Sequence, residues 1–271
     1  VPLLTTDPPY RGIIHYERYG NGRPVLFLHG WLGSWQLWRN TIEKVGERYK
    51  TYSLDFFGFG ESRGAGTKDQ ALQDYTVDNF VEMVGQFMDK LGIPKAALVG
   101  HSMGGTVAMS AALKYPDKVV KACAVGSPID GESLYLLLKL GGIPQIAQLG
   151  FLVPPGLRLV IGTYLLFCAN DGRAVRDMVL KDLDNTNTKS FFQSIGTLRR
   201  TNLTSVLPSI QQPLLGIYGR KDIIVSPKQH DLMQRLVPHA GLHYYRGSGH
   251  FPMLDEPDRF VADILEFLDN R

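Results

Sequence analysis

The hexapeptide Gly100-His101-Ser102-Met103-Gly104-Gly105 constrains the fold more than any other part of this sequence. It joins a short apolar run, Ala96–Gly100, to a helical stretch, Gly104–Tyr115, that Pro116 closes. An unbroken apolar run reads as a strand buried on both faces, as in a parallel sheet covered by helices. A chain that passes from strand to helix around one serine must turn sharply. The backbone angles there are strained and the flanking positions must be small, which explains the glycines. Such a turn lifts the Ser102 hydroxyl clear of the sheet. The helix behind it presents free N–H groups and the positive end of its dipole.

The rest of the chain repeats this rhythm. Ile13–Tyr19 reads as extended, Gly20-Asn21-Gly22 as a hairpin turn and Pro24–Leu28 as a buried strand. Trp38–Tyr49 is expected to be a helix and Thr51–Leu54 a strand. A glycine-rich turn, Asp55-Phe56-Phe57-Gly58-Phe59-Gly60-Glu61-Ser62, follows, in which Asp55 is placed to order the chain to Ser62. Phe80, Val84, Phe87, Met88 and Leu91 recur at helical spacing over Thr76–Leu91 before Gly92, and Val119–Val125 is a further strand. The alternation predicts an α/β fold with a mostly parallel sheet wrapped by helices.

That alternation stops between Ser127 and Leu207. Leu134–Leu140, Ile146–Leu152 and Leu157–Phe167 have helical patterns, broken by Gly141-Gly142, Pro144 and Pro154-Pro155-Gly156, and no strand is convincing. The sheet pattern resumes at Leu214–Tyr218, with a helix near Lys228–Leu236, a strand at Leu242–Arg246 and a last helix at Pro257–Leu268. The expected organisation is a core formed by residues 1–126 and 208–271, with an all-helical insertion at 127–207.

With 29 Lys and Arg against 26 Asp and Glu, the formal charge is only +3, and no basic block is interleaved with aromatics. A nucleic-acid partner is not expected. The two cysteines, Cys123 and Cys168, lie far apart in apolar surroundings and read as buried reduced thiols. The most apolar stretch, around Leu157–Ala169, contains Arg158 and is shorter than the roughly 20 residues of a membrane-spanning helix. The chain begins Val1-Pro2 and shows no signal-peptide pattern, so a soluble cytoplasmic protein is expected, its native start being left open.

A serine is a weak nucleophile unless a base, itself oriented by a third group, activates it. His230 lies in a polar helical stretch, His239 in a turn and His243 within a strand. His250 alone follows a strand end in a glycine-rich loop, where open α/β sheets place their sites. Asp222, in the loop after Leu214–Tyr218, is the first choice for the orienting acid. Asp130, after Val119–Val125, is the rival. The backbone N–H groups of Met103 and Trp31 are the expected oxyanion donors, with His29 bracing the loop that holds Trp31.

Together His29-Gly30, Asp55-x-x-Gly58-x-Gly60-x-Ser62, Gly100-x-Ser102-x-Gly104, Asp222 and Gly249-His250 resemble the α/β-hydrolase superfamily over nearly the whole chain. The resemblance implies an eight-stranded sheet with a helical cap inserted after the sixth strand. The serine mechanism needs no metal or organic cofactor, and no cysteine-histidine cluster suggests a metal site. Ser102 stands where dehalogenases and epoxide hydrolases of the superfamily carry aspartate. His29-Gly30-Trp31-Leu32-Gly33-Ser34 departs from the glycine-proline loops of carbon–carbon hydrolases and proline iminopeptidases. A serine carboxylesterase acting on short to medium acyl or aryl esters is therefore the leading expectation. A cofactor-free haloperoxidase or perhydrolase, a monoacylglycerol lipase and a hydrolase-shaped receptor stay open. Leu134, Leu136, Leu137, Leu138, Leu140, Ile143, Ile146, Leu149, Phe151, Leu152 and Val153 make the insertion apolar. Most should pack it onto the core and the remainder should line a pocket for a small apolar ester. A lipid-facing or homodimer-forming role for Leu157–Phe167 is also open.

Overall fold

The structure is a computed structural model that describes residues 2–6, 12–62, 74–141 and 154–270. Its centre is an eight-stranded sheet in the order β1-β2-β4-β3-β5-β6-β7-β8. The strands are β1 (Leu3–Thr5), β2 (Ile13–Tyr19), β3 (Pro24–Leu28), β4 (Lys50–Leu54), β5 (Ala96–His101), β6 (Val119–Val125), β7 (Leu214–Gly219) and β8 (Gly241–Tyr245). The β1–β2 and β2–β4 pairs are antiparallel and every other pair is parallel. All the residues of β5 and β7 are buried, as continuous apolar runs require.

Gly20-Asn21-Gly22 does not close a hairpin. Strand β4 lies between β2 and β3, pairing Tyr16 with Leu54 on one side and Leu28 with Leu54 on the other. The turn therefore spans a gap of one strand. Both its glycines adopt positive φ, 66° at Gly20 and 108° at Gly22. Val25–Leu28 is buried and needs a neighbour on each edge. Thr51–Leu54, which is buried along its length, supplies one of them better than the half-exposed end of β2.

Helix α1 (Arg39–Gly46) is shorter than the Trp38–Tyr49 pattern suggests. It ends at Gly46 rather than Tyr49, and a 3₁₀ turn at Trp35–Trp38 precedes it, capped by the Ser34 side chain receiving the Gln36 N–H at 3.3 Å. Helices α2 (Val77–Lys90) and α3 (Met103–Lys114) cover the sheet. Thr76 caps α2, its side chain receiving the Asn79 N–H at 3.2 Å. On the sheet, the fully buried Trp38 packs against Phe27, with ring centroids 5.3 Å apart, and stacks on Phe260 at 6.0 Å. Removing a buried aromatic ring at such a place costs about 3–5 kcal/mol.

Among the described residues between β6 and β7, the regular elements are helical. They are α4 (Leu136–Gly141), α5 (Pro154–Leu165), α6 (Gly172–Asp184) and α7 (Thr188–Arg200), together with short 3₁₀ turns. The Ile146–Leu152 pattern, and Ile143 through Val153 of the apolar set, lie outside the described residues, as do the side chains of Leu137 and Leu140. Leu134 and Leu138 are buried, whereas Leu136 is 69 % exposed and so does not help to pack this region onto the core. In and after α5, Leu157 and Ile161 pack inward, and Leu159, Val160 and Phe167 face outward. The chain then returns through β7, α8 (Gln229–Leu236), β8 and α9 (Pro257–Asp269). Among the described residues, no helix is long and apolar enough to cross a membrane.

Candidate active site

Ser102 sits between β5 and α3 with φ of 52° and ψ of −118°, one of two non-glycine residues with a positive φ among the described residues. Strain of this kind costs about 1–3 kcal/mol and persists only where the surroundings enforce it. Here they do. The Ser102 N–H donates to Val125 O at 2.8 Å, and Ser102 O receives the N–H groups of Gly105 and Thr106. A Cβ on Gly100 would meet Gly104 O at 2.1 Å, and one on Gly104 would meet Leu28 O at 2.3 Å. Only glycine allows the helix to approach the sheet so closely.

His250 follows β8 and Asp222 follows β7. The His250 Nδ1–H donates to Asp222 Oδ2 at 2.7 Å, with both side chains buried. The other carboxylate oxygen, Oδ1, receives the N–H groups of Ile224 at 2.7 Å and Val225 at 2.9 Å. With Nδ1 carrying the proton, the Nε2 of a neutral His250 is left as an acceptor. The elbow and the histidine loop are directly joined: His101 Nε2–H donates to His250 O at 2.9 Å, and the two rings lie 4.6 Å apart. Burial first, then the neighbouring His250, holds the His101 imidazole well below its ordinary pKa, so it stays neutral.

Asp130 is occupied elsewhere. Its carboxylate receives the Glu132 N–H at 3.0 Å and caps the Gly131–Ser133 turn, while its backbone bridges to Asn202. Among the described residues, no contact joins Asp130 to His250.

The loop after β3 packs on the elbow, since a Cβ on Gly30 would lie 3.0 Å from the Ser102 Cβ. His29 braces it from within. Its Nδ1–H donates to Gly30 O at 2.7 Å and its Nε2 accepts the Phe56 N–H at 2.9 Å. Burial lowers the His29 pKa, which suits this neutral tautomer. Asp55 holds the neighbouring turn by receiving the Trp35 N–H at 2.6 Å and the Glu61 N–H at 2.9 Å. Among the described residues, neither the Trp31 N–H nor the Met103 N–H has an acceptor. The Trp31 indole N–H donates to Phe191 O of α7 at 3.0 Å.

Two carboxylates that the sequence pattern does not single out also reach these loops. Asp182 of α6 is buried beside Ser34, and burial, with the Asp55 charge as a further cause, pushes its pKa up to about 7. Asp255 receives the Gly249 N–H at 2.8 Å, just before His250. Its position five residues after a loop histidine is a local signal, whereas nothing in the sequence marks Asp182.

Known proteins share this arrangement of strands. The chain is 24% identical over 264 residues to the pimeloyl-[acyl-carrier protein] methyl ester esterase of Aliivibrio salmonicida, covering 94% of this chain and 95% of that protein. The structure of a thermophilic esterase from Thermogutta terrifontis superposes with a TM-score of 0.84 at 22% identity, covering 99% of this chain and 98% of the esterase. A bromoperoxidase from Bacillus anthracis does so with a TM-score of 0.80 at 21% identity, covering 99% of this chain and all of that one. The model of the alpha/beta hydrolase fold matches residues 23–257, and the chain belongs to that family.

Proposed function

We propose that this chain is a serine carboxylesterase that cleaves short to medium acyl or aryl esters through an acyl-enzyme on Ser102. The observation that carries this reading is the 2.7 Å bond from His250 Nδ1–H to Asp222. It leaves Nε2 available as a base in a loop that His101 joins to the Ser102 turn, which supports the reading.

In this reading Ser102 Oγ attacks the ester carbonyl as its proton passes to His250 Nε2. Asp222 holds the tautomer and stabilises the imidazolium. The Trp31 and Met103 N–H groups receive the oxyanion, each worth about 3 kcal/mol of barrier. The imidazolium returns its proton to the departing alkoxide. Water, deprotonated by His250, then releases the acid and regenerates Ser102. The helical region, residues 127–207, serves as a cap that shapes the acyl pocket. The methyl ester esterase relative supports an ester as the substrate class.

A panel of nitrophenyl esters of increasing acyl length tests the reading, with Ser102→Ala as control. Saturable turnover abolished by Ser102→Ala is expected. Peroxide-dependent turnover without ester hydrolysis would move the activity to a perhydrolase. Tight ligand binding with no turnover would make the fold a receptor.

A further inference from the structure

His250 is held in place by residues that belong to neither its own loop nor the pair it forms with Asp222. Its loop, Gly247-Ser248-Gly249, is tied to the chain after β7 by the Lys221 N–H donating to Ser248 O at 3.0 Å and to Glu256 by the Ser248 hydroxyl at 2.7 Å, and a further restraint comes from the chain that ends α5. The His250 N–H donates to Cys168 O at 2.8 Å. The Asp255 carboxylate spans the same junction, receiving the Gly249 N–H on Oδ2 at 2.8 Å and the Asn170 N–H on Oδ1 at 2.7 Å. The packing is close, because a Cβ on Gly249 would lie 2.3 Å from Cys168 O. Four residues before Cys168, the Tyr164 hydroxyl donates to Ile223 O, next in the chain to Asp222. One short segment, residues 164–170, therefore reaches both the base loop and the acid loop.

Asp255 ends the one-turn helix Pro252–Asp255, two residues before α9 begins at Pro257. Two backbone N–H groups from different parts of the fold are what its two oxygens meet. Cys168 takes part through its carbonyl rather than its thiol. Burial, and then the Asp222 charge, push that thiol up to about 12, so it is protonated and unreactive.

We propose that Asp255, with Tyr164 in support, is a positioning residue that couples segment 164–170 to the His250–Asp222 pair. It touches no substrate. It fixes where the His250 backbone lies, and so whether Nδ1 stays on Asp222 and leaves Nε2 for Ser102 in the proposed reaction. This inference rests on the esterase reading above. A displacement of about 1 Å at such a base costs on the order of 100-fold in rate.

The test compares Asp255→Ala, Asp255→Asn, Asp255→Glu and Tyr164→Phe with the parent chain. Nitrophenyl ester kinetics, the rate of organophosphonate labelling of Ser102 and melting temperature are measured on each. Asp255→Ala should lower kcat and the labelling rate about 100-fold with KM little changed. Asp255→Asn keeps one acceptor and sets an amide N–H against a backbone N–H, so it should fall between. Asp255→Glu keeps both oxygens and should recover most of the rate. A loss of kcat per titratable Ser102 site that the Glu variant restores is what a loss of folded protein alone would not cause.

If Asp255→Ala does not fold, Tyr164→Phe carries the test, with a smaller loss of kcat per titratable Ser102 site, about tenfold, and KM little changed. Unchanged kcat in the folded variants overturns the proposal. So does activity that falls only with the number of titratable Ser102 sites. A parent chain with neither turnover nor labelling would sink the esterase reading itself, and this inference with it.

Discussion

The Nδ1 of His250 and the Oδ2 of Asp222 lie 2.7 Å apart, and the remaining Asp222 oxygen is already committed to two backbone N–H groups. The carboxylate is thus fixed before it meets the imidazole. If it serves as the triad acid, Asp222→Asn should cut kcat on the order of 10⁴-fold by placing the imidazole in the wrong tautomer. Asp130, which caps its own turn, predicts a contrasting result. Asp130→Asn should change kcat only mildly and cost at most about 1 kcal/mol of stability. Steady-state kinetics on the two variants decide between the acids, and large equal losses in both would point to a shared network.

An organophosphonate ester should label Ser102 stoichiometrically and abolish ester turnover. If Ser102 is the nucleophile, its strained turn and the N-terminus of α3 favour an oxyanion-like adduct there. Intact mass and peptide mapping check the site. Full modification elsewhere, with Ser102 free, would remove it as the nucleophile.

Much of this could be read from the residues because local chemistry fixes it. The elbow glycines announce a close approach of backbones, and unbroken apolar runs such as Val25–Leu28 announce buried strands. The order of β4 and β3 was not legible, because a Gly-Asn-Gly turn bends the chain equally well between paired and unpaired strands. The pairing is decided by which neighbour best covers the edge of β3, a property of the assembled sheet. Asp222 and Asp130 were both plausible acids since each follows a parallel strand. What separates them is a side-chain direction set by the turn at Asp130. The bond of Asp255 to Gly249 is local, but its bond to Asn170 and the surroundings of Asp182 depend on how the helical region folds back, which no short-range pattern encodes.

Asp182 makes stability fall as pH rises. Its pKa is pushed up to about 7 in the fold by burial, with Asp55 opposing its charge and Ser34 and Lys181 favouring it. In the unfolded chain it should lie near 3.9. Below pH ~4 both states hold the proton and the residue costs nothing. Between pH ~4 and ~7 the unfolded state releases its proton first, and stability drops by about 1.4 kcal/mol per pH unit before levelling off. Asp182→Asn should therefore match the parent chain near pH 4 and exceed it by a few kcal/mol at pH 8. Urea midpoints at the two pH values measure this, and an equal difference at both would show that Asp182 is not the titrating group.

Selectivity for the acyl chain should come from the helices beside Trp31. The Trp31 ring lies 4.7 Å from that of Phe191 and its indole N–H donates to Phe191 O, so α7 is fastened to the loop expected to hold the oxyanion. Phe192, half-buried, packs edge-on against Phe191 at 5.0 Å, beside the Trp31 contact. Each acyl methylene that becomes buried should contribute up to about 0.8 kcal/mol, roughly a fourfold gain in kcat/KM. The rate should rise from acetyl towards butyryl or hexanoyl esters and then fall once the chain outgrows the pocket. Phe192→Ala should move that optimum to longer chains while organophosphonate labelling of Ser102 continues at the parent rate. A flat dependence on chain length in the parent, or an optimum unmoved by Phe192→Ala and by similar changes along α5 and α7, would reduce these helices to a cover with no part in selectivity.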